Sequence, residues 1–110
     1  MDADIDLDER LRQLLADRDD VVEKRMFGGR CFMVRGHMLG GAVKGRYMFR
    51  VGKALHAEAL QRPGASPMDF TGKPLGGFVY VDADACAQPA QLAEWIELAL
   101  RFNRSLPDRD

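Results

Sequence analysis

The chain has 110 residues, of which 46% are hydrophobic, and a net charge of -1. This length is typical of one domain, and no apolar run approaches the roughly 18 residues of a membrane span, so we expect a single unit over residues 1–110 with an ordered core over about 6–103. The acidic start differs from the basic and then apolar start of a secretory leader, and two cysteines without CxxC spacing give no sequence support to a disulfide framework. We therefore expect a cytoplasmic protein with reduced thiols and no membrane partner.

Charge is distributed unevenly along the chain. Residues 1–23 have a net charge of -6, residues 24–74 have +8, and residues 75–110 have -3. A basic block therefore lies between two acidic ends, and its cations are the first candidates for a binding surface.

The first half of the chain predicts one helix and a meander of strands. Apolar residues at helical spacing predict a helix over residues 7–18. Its apolar face consists of Leu7, Leu11, Leu14 and Leu15. The pattern then becomes strand-like, and the short connections around Gly36 and Gly45 permit only antiparallel hairpins. The predicted strands cover residues 21–27, 30–35, 38–43 and 46–51.

The second half predicts two more helices with two strands between them. A helix is expected over residues 53–61, ending before Pro63 and Gly64. A short strand over 67–70 lies in the loop-rich stretch 62–77, and a firmer strand covers 78–81. Pro89 suits the first turn of the last helix, and residues 103–110 are expected to fray. The apolar stripe of that helix is Leu92, Trp95, Ile96, Ala99 and Leu100.

This order of elements predicts an α+β fold of two layers, in which helices pack on one face of an antiparallel β-sheet. Alternation along the strands points Phe32, Val34, Tyr47, Phe49 and Val51 toward the helices. The other face is then expected to present an uncovered patch of methionine and arginine. Its members are Met33, Arg35, Arg46, Met48 and Arg50.

A run of five residues and the glycines after it resemble the signature of the TfoX N-terminal domain family. The run is Arg25, Met26, Phe27, Gly28 and Gly29, and the later glycines are Gly36, Gly45 and Gly52. Further similarity lies at Val34, Arg50, Val51, Trp95, Ala99 and the aromatic strand 78–81. The resemblance implies a fold similar to that of type III secretion chaperones and a relation to bacterial competence regulators. Those regulators carry a second, carboxy-terminal domain, so a chain ending at Asp110 is expected to be a free-standing domain without family catalytic residues.

The pair Gly28 and Gly29 separates two predicted strands. Glycine at such a point indicates a bulge or a close backbone approach, and neither phosphate-loop signature surrounds the pair. We therefore interpret this pair as structural.

Catalytic and metal-binding signals are weak throughout the chain. Cys31 with His37 or His56 is the one conceivable thiol and base arrangement, but no catalytic signature surrounds it, and a half-buried strand cysteine is favoured. Asp82 and Asp84 lack the glycine and closing glutamate of a calcium loop. We expect no catalytic residues, cofactor or metal.

Function is therefore predicted from the patch of methionine and arginine. Both residue types are enriched at interfaces, which favours a non-enzymatic interaction or accessory regulatory module, as a homodimer or with another protein partner. One alternative is a nucleic-acid-binding regulatory domain that uses the same cations, although single-strand readers usually interleave stacking aromatics. A second alternative is a thiol-dependent enzyme at Cys31.

Overall fold

The computed structural model describes residues 3–26, 29–70 and 73–107. The helices are α1 (Ala3–Leu14), α2 (Lys53–Leu60) and α3 (Pro89–Arg104). The strands are β1 (Val21–Met26), β2 (Gly29–Val34), β3 (His37–Val43), β4 (Arg46–Arg50), β5 (Ala65–Phe70) and β6 (Lys73–Asp82). A short 3₁₀ turn at Ala83–Cys86 precedes α3. The predicted α+β class and the order of the elements are confirmed.

All six strands belong to one antiparallel sheet with the order β1-β2-β3-β4-β6-β5. The connections β2–β3 and β3–β4 are two-residue turns with positive φ at both positions, Arg35 with Gly36 and Lys44 with Gly45. Such turns match the twist of the flanking strands. The chain then makes α2 and β5 before β6 returns to pair with β4, so the last strand lies inside the sheet and β5 lies at its edge.

The strand β6 is much longer than the four residues predicted for it. It begins at Lys73 and includes Gly76 and Gly77, which the sequence pattern placed in a loop. Pairing with β5 keeps this segment extended, since Phe70 lies opposite Lys73 and Asp69 opposite Pro74. Glycine content alone therefore gave the wrong boundary for this strand.

The main core cluster contains residues of all three helices together with one face of the strands. Phe32, Val34, Tyr47, Phe49 and Val51 all belong to it, as the alternation predicted. Helix α1 contributes Leu7, Leu11 and Leu15, whereas Leu14 is 39% exposed and was wrongly included in the apolar face. In α3 the predicted stripe is buried, and Trp95 stacks on Phe49 with ring centroids 5.8 Å apart. We call this cluster the helix-side core.

Candidate functional site

The opposite face of the sheet holds a second buried cluster, and the described residues that form it all lie on strands. Its buried members are Cys31, Met38, Val43, Met48, Met68 and Tyr80, and we call it the strand-only core. Met33 and Phe78 pack against it and are half-buried. Because apolar side chains from β2 to β6 converge here, this face of the sheet is largely filled by its own residues.

The strand-only core corrects the predicted uncovered patch. Alternation gave the correct direction for Met48, which projects away from the helix-side core, but its exposed fraction is 0%. Met38 and Met68 from β3 and β5 pack in the same cluster. Flexible methionine side chains fill irregular spaces well, which explains why three of them meet here. Met48 is therefore part of the interior and is not available to a partner.

Arg46 and Arg50 lie at the border of the strand-only core and stack on aromatic rings. The guanidinium carbon of Arg46 is 3.5 Å from the centroid of Tyr80. That of Arg50 is 5.7 Å from the centroid of Phe78 and 5.2 Å from that of Phe102. Among the residues that the structure describes, neither arginine has a carboxylate within 4.0 Å. Both cations are held in place without being neutralised.

Arg35 does not join Arg46 and Arg50, which corrects the third arginine of the predicted patch. It occupies the β2–β3 turn with a φ of 56°. Its guanidinium donates to the carbonyl oxygens of Asn103 at 2.7 Å and Leu106 at 2.9 Å. The turn therefore directs Arg35 toward the end of α3 and away from the strand surface.

The segment after α3 is fixed by the β2–β3 hairpin. The Nδ2 atom of Asn103 donates to the carbonyl oxygen of Val34 at 2.9 Å, and Asn103 is 2% exposed. His37 Nε2 lies 2.6 Å from the carbonyl oxygen of Pro107. The expected fraying is therefore wrong for residues 103–107, while 108–110 lie outside the described residues. A polar residue four positions after Ala99 on the buried stripe was the available sequence signal.

The two thiols lie in separate interiors. Cys31 belongs to the strand-only core and Cys86 to the helix-side core, and each has an exposed fraction of 0%. Burial raises the pKa of both thiols to about 11. A reactive cysteine needs the opposite change, because the thiolate is the nucleophile. The geometry therefore gives no support to a nucleophilic Cys31.

The family motif lies at the β1–β2 hairpin. Arg25 and Met26 end β1 and Gly29 begins β2, whereas Phe27 and Gly28 lie outside the described residues. A Cβ atom at Gly29 would run into the carbonyl oxygen of Ala42 on β3. The close backbone approach expected for the glycine pair is thus confirmed at Gly29.

A polar depression of about 450 Å³ lies beside the β3–β4 turn. It is lined by Lys44, Gly45, Arg46, Asp82, Ala83 and Asp84. Arg46 and Asp82 are directly opposite each other in the β4–β6 ladder. Cations and carboxylates therefore share one surface, which the sequence could not reveal because the two segments are far apart in the chain.

A second pocket of about 350 Å³ lies at the other end of β4. It is lined by Arg50, Gly52, Lys53, Ala54, Gly76, Gly77, Phe78 and Phe102. The Gly77 carbonyl oxygen accepts hydrogen bonds from the backbone N–H groups of Val51 at 2.8 Å and Gly52 at 3.1 Å. These bonds hold the segment before α2 against β6. This pocket combines two cations with two aromatic rings.

The fold and these surfaces define an α+β domain with buried thiols. Within residues 6–25, 29–68 and 76–107, no three His, Cys, Asp or Glu side chains are grouped to hold a metal ion. Comparison with protein families matches residues 13–103 to the TfoX N-terminal domain. The chain therefore belongs to this family, which relates it to competence regulators. No curated protein and no solved structure matches the chain.

The helices in the described part of the chain are too short or too polar to cross a lipid bilayer.

Proposed function

We propose that the domain is a non-enzymatic interaction module of a regulatory protein and that it forms a homodimer through the polar depression. Family membership supports a regulatory context. Burial of both thiols and their raised pKa support a role without covalent catalysis. Arg46, one of the five residues expected at an interface, is the central contact residue in this proposal.

The mixed charge of the depression is the observation that carries the homodimer. In a two-fold symmetric dimer, both copies use the same surface as the interface. Each contact between two different residues therefore occurs twice, once in each direction. Arg46 and Asp84 both line the depression, and two facing copies could pair each with the other twice. A surface of one sign would repel its own copy.

Stacking on Tyr80 adds to this proposal because it prepares Arg46 for binding. A side chain already held in one place loses less conformational entropy when a partner arrives. With no described carboxylate within 4.0 Å, Arg46 keeps its charge for an intermolecular contact. Arginine is also among the residue types enriched at interface hot spots.

Sedimentation velocity on the wild type and Arg46→Glu tests the proposal. We expect a dimer for the wild type and a monomer for Arg46→Glu. Lys24→Glu is the matched control, because Lys24 is exposed on β1 and the change in charge is identical. A wild type that remains monomeric at all concentrations, or an Arg46→Glu variant that remains dimeric, contradicts the proposed interface.

A further inference from the structure

We propose that the 350 Å³ pocket between α2, β6 and α3 binds a small organic anion with a planar apolar body. A pocket of this volume lies at the lower end of the range of small-molecule sites, about 300–1,000 Å³, so the ligand is of metabolite size. The site is distinct from the depression at Arg46, and the inference does not depend on the homodimer.

The anionic part of the ligand is inferred from Arg50 and Lys53. Arg50 lines the pocket, is half-buried, and has no carboxylate within 4.0 Å among the described residues. Lys53 lines the same space and is exposed. None of the lining residues within the described part of the chain is acidic. A guanidinium with free donors in a partly enclosed site favours a carboxylate or phosphate, which it binds through two parallel hydrogen bonds.

The planar apolar part is inferred from Phe78 and Phe102. Both rings line the pocket, and both lie within 6 Å of the Arg50 guanidinium carbon. The rings position the cation and also provide apolar surface beside it. A ligand that joins an aromatic ring to an anionic group satisfies both parts of this site, whereas a simple inorganic anion satisfies only one.

Three glycines line the pocket. A Cβ at Gly52 would collide with the Phe102 ring, and a Cβ at Gly77 would lie 3.0 Å from the carbonyl carbon of Gly52. Gly76 differs from these two, since a Cβ there meets only the Lys53 side chain, at 3.6 Å and beyond. Because Gly76 and Lys53 both line the pocket, we expect a larger side chain at Gly76 to fit locally and to take up space that the ligand needs.

The test is a titration of the full chain followed by the amide resonances of Gly52, Gly76 and Gly77 in two-dimensional NMR. The probes are benzoate and phenyl phosphate, with benzamide and inorganic phosphate as comparisons. We expect saturable shifts at these glycines with at least one of the aromatic anions, and much weaker binding of both comparison compounds.

Three variants make the result specific. Arg50→Gln should weaken binding of the aromatic anion by about tenfold or more, because a charged hydrogen-bond donor is lost. Gly76→Leu should block binding while the domain stays folded, and Arg46→Gln should leave binding unchanged. The proposal is overturned if neither aromatic anion shifts these glycines, if inorganic phosphate or benzamide binds equally well, or if folded Gly76→Leu binds like the wild type.

Discussion

Asn103, near the end of α3, donates its side-chain amide to the main-chain oxygen of Val34 at the end of β2. This hydrogen bond joins the last helix to the first half of the sheet across 69 positions in sequence. Asn103→Leu removes the donor and leaves the Val34 oxygen buried without it. We expect a loss of about 1–3 kcal/mol in the free energy of unfolding, measured by urea denaturation.

Ser105→Ala provides the control for this experiment. Ser105 also donates to a main-chain oxygen, that of Phe102 at 2.6 Å, but the bond is exposed to solvent. Its loss should change stability by no more than about 0.5 kcal/mol. If the two substitutions lower the free energy of unfolding equally, burial does not make the Asn103 hydrogen bond more important for stability than an exposed one.

Gly41 on β3 is expected to tolerate no side chain. A Cβ atom there would run into the carbonyl oxygen of Arg30 on the neighbouring strand, and backbone cannot move aside as a flexible side chain can. Gly41→Ala should therefore destabilise the domain by about 3 kcal/mol or prevent folding. Gly45→Ala is the comparison, because a Cβ there meets nothing within 4 Å and only its positive φ of 81° opposes the change.

For Gly45→Ala we expect a cost of about 1–2 kcal/mol, the usual penalty for a left-handed conformation. Thermal unfolding followed by circular dichroism separates the two variants. If Gly41→Ala melts at or above the temperature of Gly45→Ala, the close contact between β2 and β3 is not rigid.

Buried thiols should make the domain less stable in alkali. The pKa of Cys31 and of Cys86 is raised from 9.0 to about 11, so the folded state holds these protons more tightly than the unfolded chain. Their contribution to stability is complete below about pH 9 and is lost as the pH rises toward 11. Urea denaturation between pH 8 and 11 measures this loss, and Cys31→Ala should reduce the pH dependence.

Alkylation provides an independent check on the same thiols. Iodoacetamide should label folded protein at neutral pH about a hundredfold more slowly than a free cysteine, because each pKa unit lowers the thiolate fraction tenfold. Guanidinium-unfolded protein is the reference for full labelling. Rapid labelling of Cys31 in the folded chain would revive the thiol-dependent enzyme as a candidate.

The proposed homodimer predicts a rescue by exchange of charge. Arg46→Glu should dissociate the dimer, and adding Asp84→Arg to the same chain should restore it, since each new pair again joins opposite signs. Asp84 is exposed on the 3₁₀ turn, so its substitution should leave the core intact. Sedimentation velocity on both single variants and the double variant reads the outcome. A double variant that stays monomeric places the contact elsewhere.

The sequence predicts which face of the sheet a side chain lies on more reliably than it predicts the exposed fraction of that side chain. Alternation correctly placed Tyr47 and Met48 on opposite faces of β4, because the period of a strand is fixed by its backbone. Exposure of Met48 depends instead on Met68 and Tyr80, which arrive from β5 and β6. Nothing within β4 itself indicates these neighbours.

The predicted patch was also wrong at Arg35, where the backbone adopts a left-handed conformation. Arg35 follows β2 in sequence, and simple alternation continued the strand through it. Its positive φ ends that alternation, so the side chain turns toward Asn103 and Leu106. The pocket at Arg50 could not be predicted from the sequence for another reason. Phe102 and Gly77 are distant in sequence and line the same pocket only in the folded chain.

Placing β6 inside the sheet has a consequence during synthesis on the ribosome. The first four strands can form a meander as they emerge, but one side of β4 has no neighbour until residues 73–82 have also left the ribosome. That side carries unpaired main-chain groups beside Tyr47, Met48 and Phe49, which is the kind of nascent edge that captures other chains. A released chain truncated before residue 73 should therefore aggregate through β4.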